Sequence, residues 1–418
     1  MKITILAPGS RGDVQPYVAL GQGLKALGHA CTLVTTLDHE ALVGRYGLGV
    51  ATIPVNVAEE LGRVEAQRAV EGGGVISSFR QFAAIARRAA RATAEIGLEA
   101  CRSADTIVTN FSTVLLADGI SRKLGVPMVQ AFNVPVTASS AFPGALFPGL
   151  DFGSISRRLG HSITRTALWT TSRSAANAVA IEVLGARSAS LFPGRCTGLV
   201  PGPVVYGFSE AFLARPADWS DEAHVTGFWF VEEPRGYAPS EELVRFLESG
   251  PPPVCVGFGS MSTERPEEVS AMVLDAARAS NSRLVLQSGW AGLNVGQLAD
   301  NVLVVSDIPH SWLYPRCAAI VHHGGAGTTA AALRAGVPAV VVPFHGDQPF
   351  WASRVARLGL GPAPIPRRKL TAERLASAIE RARIDEGLRE RAALVGRTIR
   401  EERGTARAAE LIASLSRG

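Results

Sequence analysis

No stretch of this chain approaches the run of about 18 apolar residues that a membrane helix needs, although 47% of its 418 residues are hydrophobic. The N-terminal MKITILAPGSRGD has an apolar core of only about six residues, too short for a secretion signal. Charge is sparse as well. Charged residues make up 19% of the chain and the net charge is only +5, with arginines scattered along helical segments. That distribution excludes the concentrated basic footprint of a nucleic-acid binder. Five cysteines (Cys31, Cys101, Cys196, Cys255, Cys317) are too few, too widely spaced and odd in number for a disulfide framework. They read as buried thiols in a reducing compartment, so a cytoplasmic protein is expected and the Asn110-Phe111-Ser112 sequon carries no weight.

What is present is a repeated strand-and-helix grammar. Lys2–Ala7, Cys31–Thr35 and Val50–Val55 are short apolar runs of strand type, and Val14–Gly28 between the first two has helical spacing. Val75 to Ser103 reads as one Ala/Arg helix, followed by strand Thr106–Asn110, helix Val114–Leu124 and strand Val126–Phe132. Asn133 to Asp151 is a proline- and aromatic-rich loop, the kind of segment that can grip a lipophilic ligand. A Pro/Ser/Gly-rich stretch from Pro201 to Ser220 marks a domain boundary. The alternation then restarts with strand His224–Phe230 and continues to a closing Arg/Ala/Glu helix over Leu388 to Leu415. The pattern predicts an α/β protein of two Rossmann-like domains, with parallel sheets facing each other across a cleft. The expected domains are 1–215 and 216–395, with the helix 396–418 packing back toward the first.

The most informative stretch runs from Asn301 to Gln348. The strand run Ala318–His323 leads into Gly324-Gly325-Ala326-Gly327, and Thr328-Thr329 open an Ala/Leu-rich helix closed by Gly336. A strand, a glycine turn and a helix start leave unpaired N–H groups and the positive end of a helix dipole facing outward, a natural seat for phosphate. His323 can add a donor or a positive charge. After the next strand, His345, Asp347 and Gln348 lie at the same sheet edge and carry groups suited to sugar hydroxyls.

Three segments together resemble the inverting GT-B glycosyltransferases of the UDP-glycosyltransferase superfamily, in the branch of sterol glucosyltransferases and actinobacterial antibiotic glycosyltransferases. They are GSRGDVQP (Gly9 to Pro16), GFGSM (Gly257 to Met261) and IPHSWLYPRCAAIVHHGGAGTT…VPFHGDQ (Ile308 to Gln348). The resemblance implies an N-terminal acceptor domain and a C-terminal nucleotide-sugar domain. It makes Asp13 the general base, where many relatives have a histidine, with Ser10 beside it and Arg11, Phe132, Asn133 and Phe142 toward the acceptor. It assigns the diphosphate and nucleotide to Ser260, Ile308, His323, Gly325, Ala326, Gly327, Thr328 and Thr329, with Trp290 a candidate for stacking on the base. Asp347, Gln348 and His345 would hold the donor sugar.

The implied reaction is metal-independent transfer of a sugar from a TDP- or UDP-sugar to a hydroxyl of a lipophilic small molecule such as a polyketide, macrolide, glycopeptide or sterol-like aglycone. No cofactor, nucleic-acid partner or stable membrane insertion is implied, and the protein would act as a monomer or homodimer. Plant members carry a Glu that grips the ribose where this chain has Ala331. Its loss suits a 2′-deoxyribose donor, although sterol-type relatives that use UDP-glucose lack it too. Two readings stand beside this one. A glycolipid or glycopeptidolipid transferase would use the same chemistry, with a basic face such as Arg87-Arg88 and Arg91 toward a membrane. A non-catalytic nucleotide-sugar binder would have no use for Asp13.

Overall fold

The computed structural model of the chain describes residues 1–56, 59, 90–185, 197–232, 237–259, 266–287, 300–306 and 308–416. They form two compact units, Met1–Val231 with Glu402–Gly418, and Glu232–Glu401.

The first unit is built on a seven-stranded sheet. Its strands are β1 (Lys2–Leu6), β2 (Ala30–Thr36), β3 (Gly49–Ile53), β4 (Thr106–Thr109), β5 (Met128–Phe132), β6 (Val204–Tyr206) and β7 (Ala223–Val225). They pair in parallel in the order β3-β2-β1-β4-β5-β6-β7. Alternation along β1 divides the core, because successive side chains leave opposite faces of a strand. Ile3 and Ile5 join a cluster that includes Val14, Val18, Ala408 and Ile412, from the helices Arg11–Ala26 and Gly404–Leu415. Leu6 joins Ala94, Leu98, Leu116 and Ile120 on the other face. A parallel sheet covered on both faces explains why its strands read as nearly unbroken apolar runs.

The second unit has five parallel strands, β8 (Val254–Gly257), β9 (Leu284–Gln287), β10 (Val302–Val305), β11 (Ala319–His322) and β12 (Ala339–Val341), in the order β10-β9-β8-β11-β12. In both sheets the first strand of the unit lies between its second and fourth. The order in which strands are added reverses there, between β1 and β4 and between β8 and β11, and in open α/β sheets that switch point is where ligands bind.

Four features differ from the sequence expectation. The first unit extends to Val231 rather than to residue 215, because β6 and β7 complete its sheet. Only Ala223–Val225 of the expected strand His224–Phe230 is paired. The first helix begins at Arg11, not Val14, which draws Asp13 out of a loop and into a helical turn. The closing helix is two, Glu386–Glu401 and Gly404–Leu415. At the break Gly404 packs against Gly227, where a Cβ on Gly404 would lie 2.7 Å from the Gly227 carbonyl carbon. Of the expected helix over Val75 to Ser103, residues 90–101 are helical and 75–89 lie outside the described residues.

Candidate active site

At the switch point of the first unit, β1 ends in Pro8-Gly9-Ser10 and the helix starts at once. Ser10 is its N-cap and Asp13 its third residue. The Asp13 carboxylate reaches back, and its Oδ2 accepts from the Ser10 backbone N–H at 2.9 Å and from the Ser10 hydroxyl at 2.8 Å. This is the acidic half of a capping box. Gly9 makes room for it. At φ +142°, a Cβ on Gly9 would come within 2.7 Å of the Asp13 carboxylate.

Asp13 is half-buried. Removal from water raises its pKa above the usual carboxylate value, while the Ser10 bonds and nearby His39 pull it down. His39 had no role in the sequence reading. Its Nε2 lies 3.1 Å from the Gly9 carbonyl and 3.5 Å from Asp38. Nothing in LDHE announces this role, since it depends on β2 lying beside β1. Asn110, at the end of β4, donates from Nδ2 to the Pro8 carbonyl at 3.4 Å and accepts through Oδ1 from the amides of Ser112 and Thr113. The sequon asparagine is therefore a buried brace of the loop that carries Ser10.

The residues expected around the acceptor divide. Arg11 is exposed and its Nε donates to Gln15. Asn133 is half-buried, with its Oδ1 sealed from water and unpartnered. Phe132 and Phe142 are corrected. Phe132 is fully buried against Tyr206, and Phe142 packs edge-on against His161 and Trp219. Both rings belong to an internal aromatic cluster and do not line a surface.

At the switch point of the second unit, β8 runs out into Phe258-Gly259 and β11 into His323-Gly324-Gly325. The His323 ring sits between two glycines. A Cβ on Gly259 would meet its Cε1 at 3.1 Å, and one on Gly325 its Nε2 at 2.5 Å. Gly325 is the N-cap of helix Ala326–Ala335 and has no side chain to cap it. The amides of Gly325, Ala326, Gly327 and Thr328 thus have no intrahelical acceptor. Thr329 is corrected. Its amide donates to the Gly325 carbonyl at 2.9 Å, and its hydroxyl is buried without a hydrogen-bond partner. The run of amides without an intrahelical acceptor ends at Thr328.

Burial, with His345 nearby, lowers the His323 pKa to about 4, and burial lowers that of His345 as well. His322, fully buried, accepts from the Gly324 amide through Nδ1 and is lowered to about 3. At neutral pH these rings are uncharged. His323 therefore offers a neutral donor rather than the positive charge that the sequence left open.

Ile308 is half-buried and precedes Pro309, the N-cap of the short helix His310–Leu313, whose His310 stacks on Tyr314. The Gln348 side-chain Oε1 accepts from the Phe344 and His345 backbone amides at 2.8 and 3.2 Å. Asp347 Oδ2 accepts from the Trp351 indole at 2.7 Å. These bonds fix the loop after β12 and orient the carboxamide and carboxylate within it. Ser260 and Trp290 lie outside the described residues.

Residues 3–143 match the glycosyltransferase family 28 N-terminal domain, and residues 271–413 match the erythromycin biosynthesis protein CIII-like C-terminal domain. The O-mycaminosyltylonolide 6-deoxyallosyltransferase of Streptomyces fradiae is 36% identical over 99% of this chain and 97% of its own length. The chain belongs to the GT-B glycosyltransferases of the UDP-glycosyltransferase superfamily. A sterol 3-beta-glucosyltransferase of Arabidopsis thaliana is 33% identical over 91% of this chain, which spans about three-fifths, 62%, of that enzyme. Among solved structures, the glycotransferase of kitacinnamycin matches with a TM-score of 0.70 at 22% identity, over 99% of this chain and 98% of that one. The glycosyltransferase VinC in complex with DTDP matches with a TM-score of 0.68 at 19% identity, over 100% of both chains. These likenesses establish the GT-B fold, whose two Rossmann-like units are the two sheets described above. Among the described residues no helix is long and apolar enough to cross a membrane.

Proposed function

We propose that this GT-B family member is a metal-independent, inverting glycosyltransferase. It moves a sugar from a TDP- or UDP-sugar to a hydroxyl of a lipophilic small molecule. The observation that carries the reading is the pairing of chemistries at the two switch points: a capped, half-buried carboxylate in one sheet and an uncapped helix N-terminus beside a neutral histidine in the other. The Streptomyces fradiae relative is named for transferring a 6-deoxyallosyl group to O-mycaminosyltylonolide and the Arabidopsis relative for glucosylating sterols. Both acceptors are lipophilic, and the DTDP complex of a structural neighbour favours the same donor class.

Each step has a residue. The acceptor O–H gives its proton to the Asp13 carboxylate while its oxygen attacks the anomeric carbon. The bond from that carbon to the diphosphate oxygen breaks, and its electron pair leaves with the nucleotide. The growing negative charge is received by the amides of Gly325, Ala326, Gly327 and Thr328, by the Thr328 hydroxyl and by His323, in a preorganised site that has little reorganisation left to do. Attack opposite the leaving group inverts the anomeric centre. Asp347 and Gln348 hold the sugar hydroxyls, and Ile308 meets the base.

Among the described residues Cys31, Cys101, Cys255 and Cys317 are free and buried, which supports a reducing, cytoplasmic setting as part of this proposal. Titration calorimetry with TDP and with UDP in the presence of a chelator tests the reading. Saturable binding that weakens in His323→Ala is expected, and absence of binding to either nucleotide overturns the donor assignment.

A further inference from the structure

Eight large hydrophobic side chains are exposed among the described residues, and four of them, Phe152, Ile155, Leu159 and Ile163, fall within one short segment. Phe152 is 86% exposed and Ile155 85%. Single exposed apolar residues are ordinary, whereas a contiguous set marks a surface meant to be covered. Ile155, Leu159 and Ile163 recur every fourth residue in the helix Ser154–Val179 and so share one face. Phe152, three residues before Ile155, extends the stripe past the helix start.

The inner side of the same helix is fixed. Gly160, His161 and Thr164 are buried. Gly160 lies so close to Gly144 that a Cβ on Gly144 would sit 2.5 Å from the Gly160 carbonyl oxygen. His161 contacts the Phe142 carbonyl through Nε2 at 3.0 Å. The stripe is thus held outward by a packed inner face.

The charge on this helix is of one sign. It contains Arg157, Arg158, Arg165 and Arg173 and no acidic residue. With about 100° between successive residues, Arg158 and Arg165 leave the axis roughly 60–80° to one side of Ile155. Arg158 remains 64% exposed although it pairs with Asp218 at 3.3 Å.

We propose that this face docks on an anionic phospholipid surface. The helix would lie in the plane of the interface, with Phe152, Ile155, Leu159 and Ile163 at the boundary between headgroups and acyl chains and Arg158 and Arg165 toward lipid phosphates. An apolar stripe bordered by an excess of cations, Arg157, Arg158, Arg165 and Arg173 against Asp151 and Asp218, is the pattern of an interfacial helix. A second copy of this chain is a poor occupant, because a two-fold contact would set the same basic helix against itself. The inference is independent of the sugar-transfer reading, since it uses no residue of either switch point.

The test is co-sedimentation of the full chain with vesicles of phosphatidylcholine alone and of phosphatidylcholine mixed with phosphatidylglycerol. Binding to the anionic vesicles only, weakening as salt rises, is expected. The double variant Ile155→Ser, Leu159→Ser should lower partitioning by about tenfold or more, because each side chain loses its apolar burial in the interface. Arg158→Gln should lower it about fivefold. Unchanged thermal unfolding and unchanged TDP and UDP titrations would show that both variants are folded. The proposal is overturned if the wild-type chain ignores anionic vesicles, or if the double variant binds them as well as the wild type does. It is equally overturned if the wild type is a dimer in solution that the double variant turns into a monomer.

Discussion

The Ser10 hydroxyl and the Asp13 carboxylate lie 2.8 Å apart, and the Ser10 amide donates to the same Asp13 oxygen at 2.9 Å. One carboxylate thus closes the start of a helix and stands at the switch point of its sheet. The two bonds fix its position, and the helix N-terminus favours its ionised form. Burial pushes the other way and prevails, leaving the pKa raised. A base tuned upward from the ordinary carboxylate range is better matched to proton transfer at neutral pH.

Asp13→Asn follows directly. The amide oxygen can still accept from Ser10, so the helix start survives while the base is lost. Turnover should fall by about 10²–10⁴, with the affinities for TDP and UDP unchanged by calorimetry. Because a raised pKa disfavours the folded, ionised state at neutral pH, thermal stability at pH 7 should be equal or higher in the variant. In the wild type, kcat/KM should fall with acidity through a pKa above 3.8, the ordinary value. His39 pulls that pKa down, so His39→Ala should move this acid limb to higher pH.

Thr328 and Thr329 are neighbours with opposite expectations. Thr328→Val removes a half-exposed hydroxyl at the open helix start and should weaken nucleotide binding by roughly 5–10-fold, about one hydrogen bond. Thr329→Val replaces a buried, unpartnered hydroxyl with a methyl of similar shape. It should leave affinity unchanged and keep or raise stability by up to about 1 kcal/mol. Calorimetry and chemical denaturation on both variants check the pair, and loss of affinity in Thr329→Val would restore that residue to the site.

Gly325→Ala would place a methyl 2.5 Å from His323 Nε2. The ring, held by Gly259 on its other side, has to leave its position. Nucleotide affinity should drop at least as far as in His323→Ala, because the glycine turn moves as well. Equal affinities for Gly325→Ala and the wild type in calorimetry would contradict this packing.

His322 sets a dependence of stability on pH. Its pKa falls from 6.5 to about 3, chiefly through burial. The fold therefore excludes its proton, so its contribution to stability is complete above pH 6.5 and is lost as pH drops from 6.5 toward 3. At pH 5 the loss is roughly 2 kcal/mol. His322→Asn keeps an acceptor for the Gly324 amide and removes the titration. Denaturation at pH 7 and pH 5 should show a smaller pH effect in the variant, whatever its absolute stability.

Much of this was legible in the chain. The strands were apparent because parallel strands buried on both faces are written as apolar runs, and GGAG between such a run and an Ala-rich segment announced a helix start, expected at Thr328 and found two residues earlier at Ala326. The helix start at Arg11 was not, because PGSRGD has the composition of a turn and only the reach of Asp13 back to Ser10 makes it a cap. Val204–Tyr206 was hidden by its length, three residues within a Pro/Gly-rich stretch whose strand character comes from pairing with β5 and β7. The aromatics of Asn133–Asp151 resembled a ligand grip, yet whether a ring in a loop faces inward depends on partners such as Trp219 that are distant in sequence. The Glu401–Gly404 break left no trace in an Arg/Ala/Glu pattern that is helical on both sides.

That break separates two chapters of synthesis. Helix Gly404–Leu415 supplies Ala408, Ala409 and Ile412 to the core of the first unit, and Gly23 lies against Thr405 and Ala409. The ribosome makes this helix only after the entire second unit. Until then the nascent first unit carries an open apolar groove along its first helix, a hazard of the kind chaperones shield. For the same reason, a chimera that exchanges the second unit between relatives should keep residues 402–418 from the parent that supplies the first.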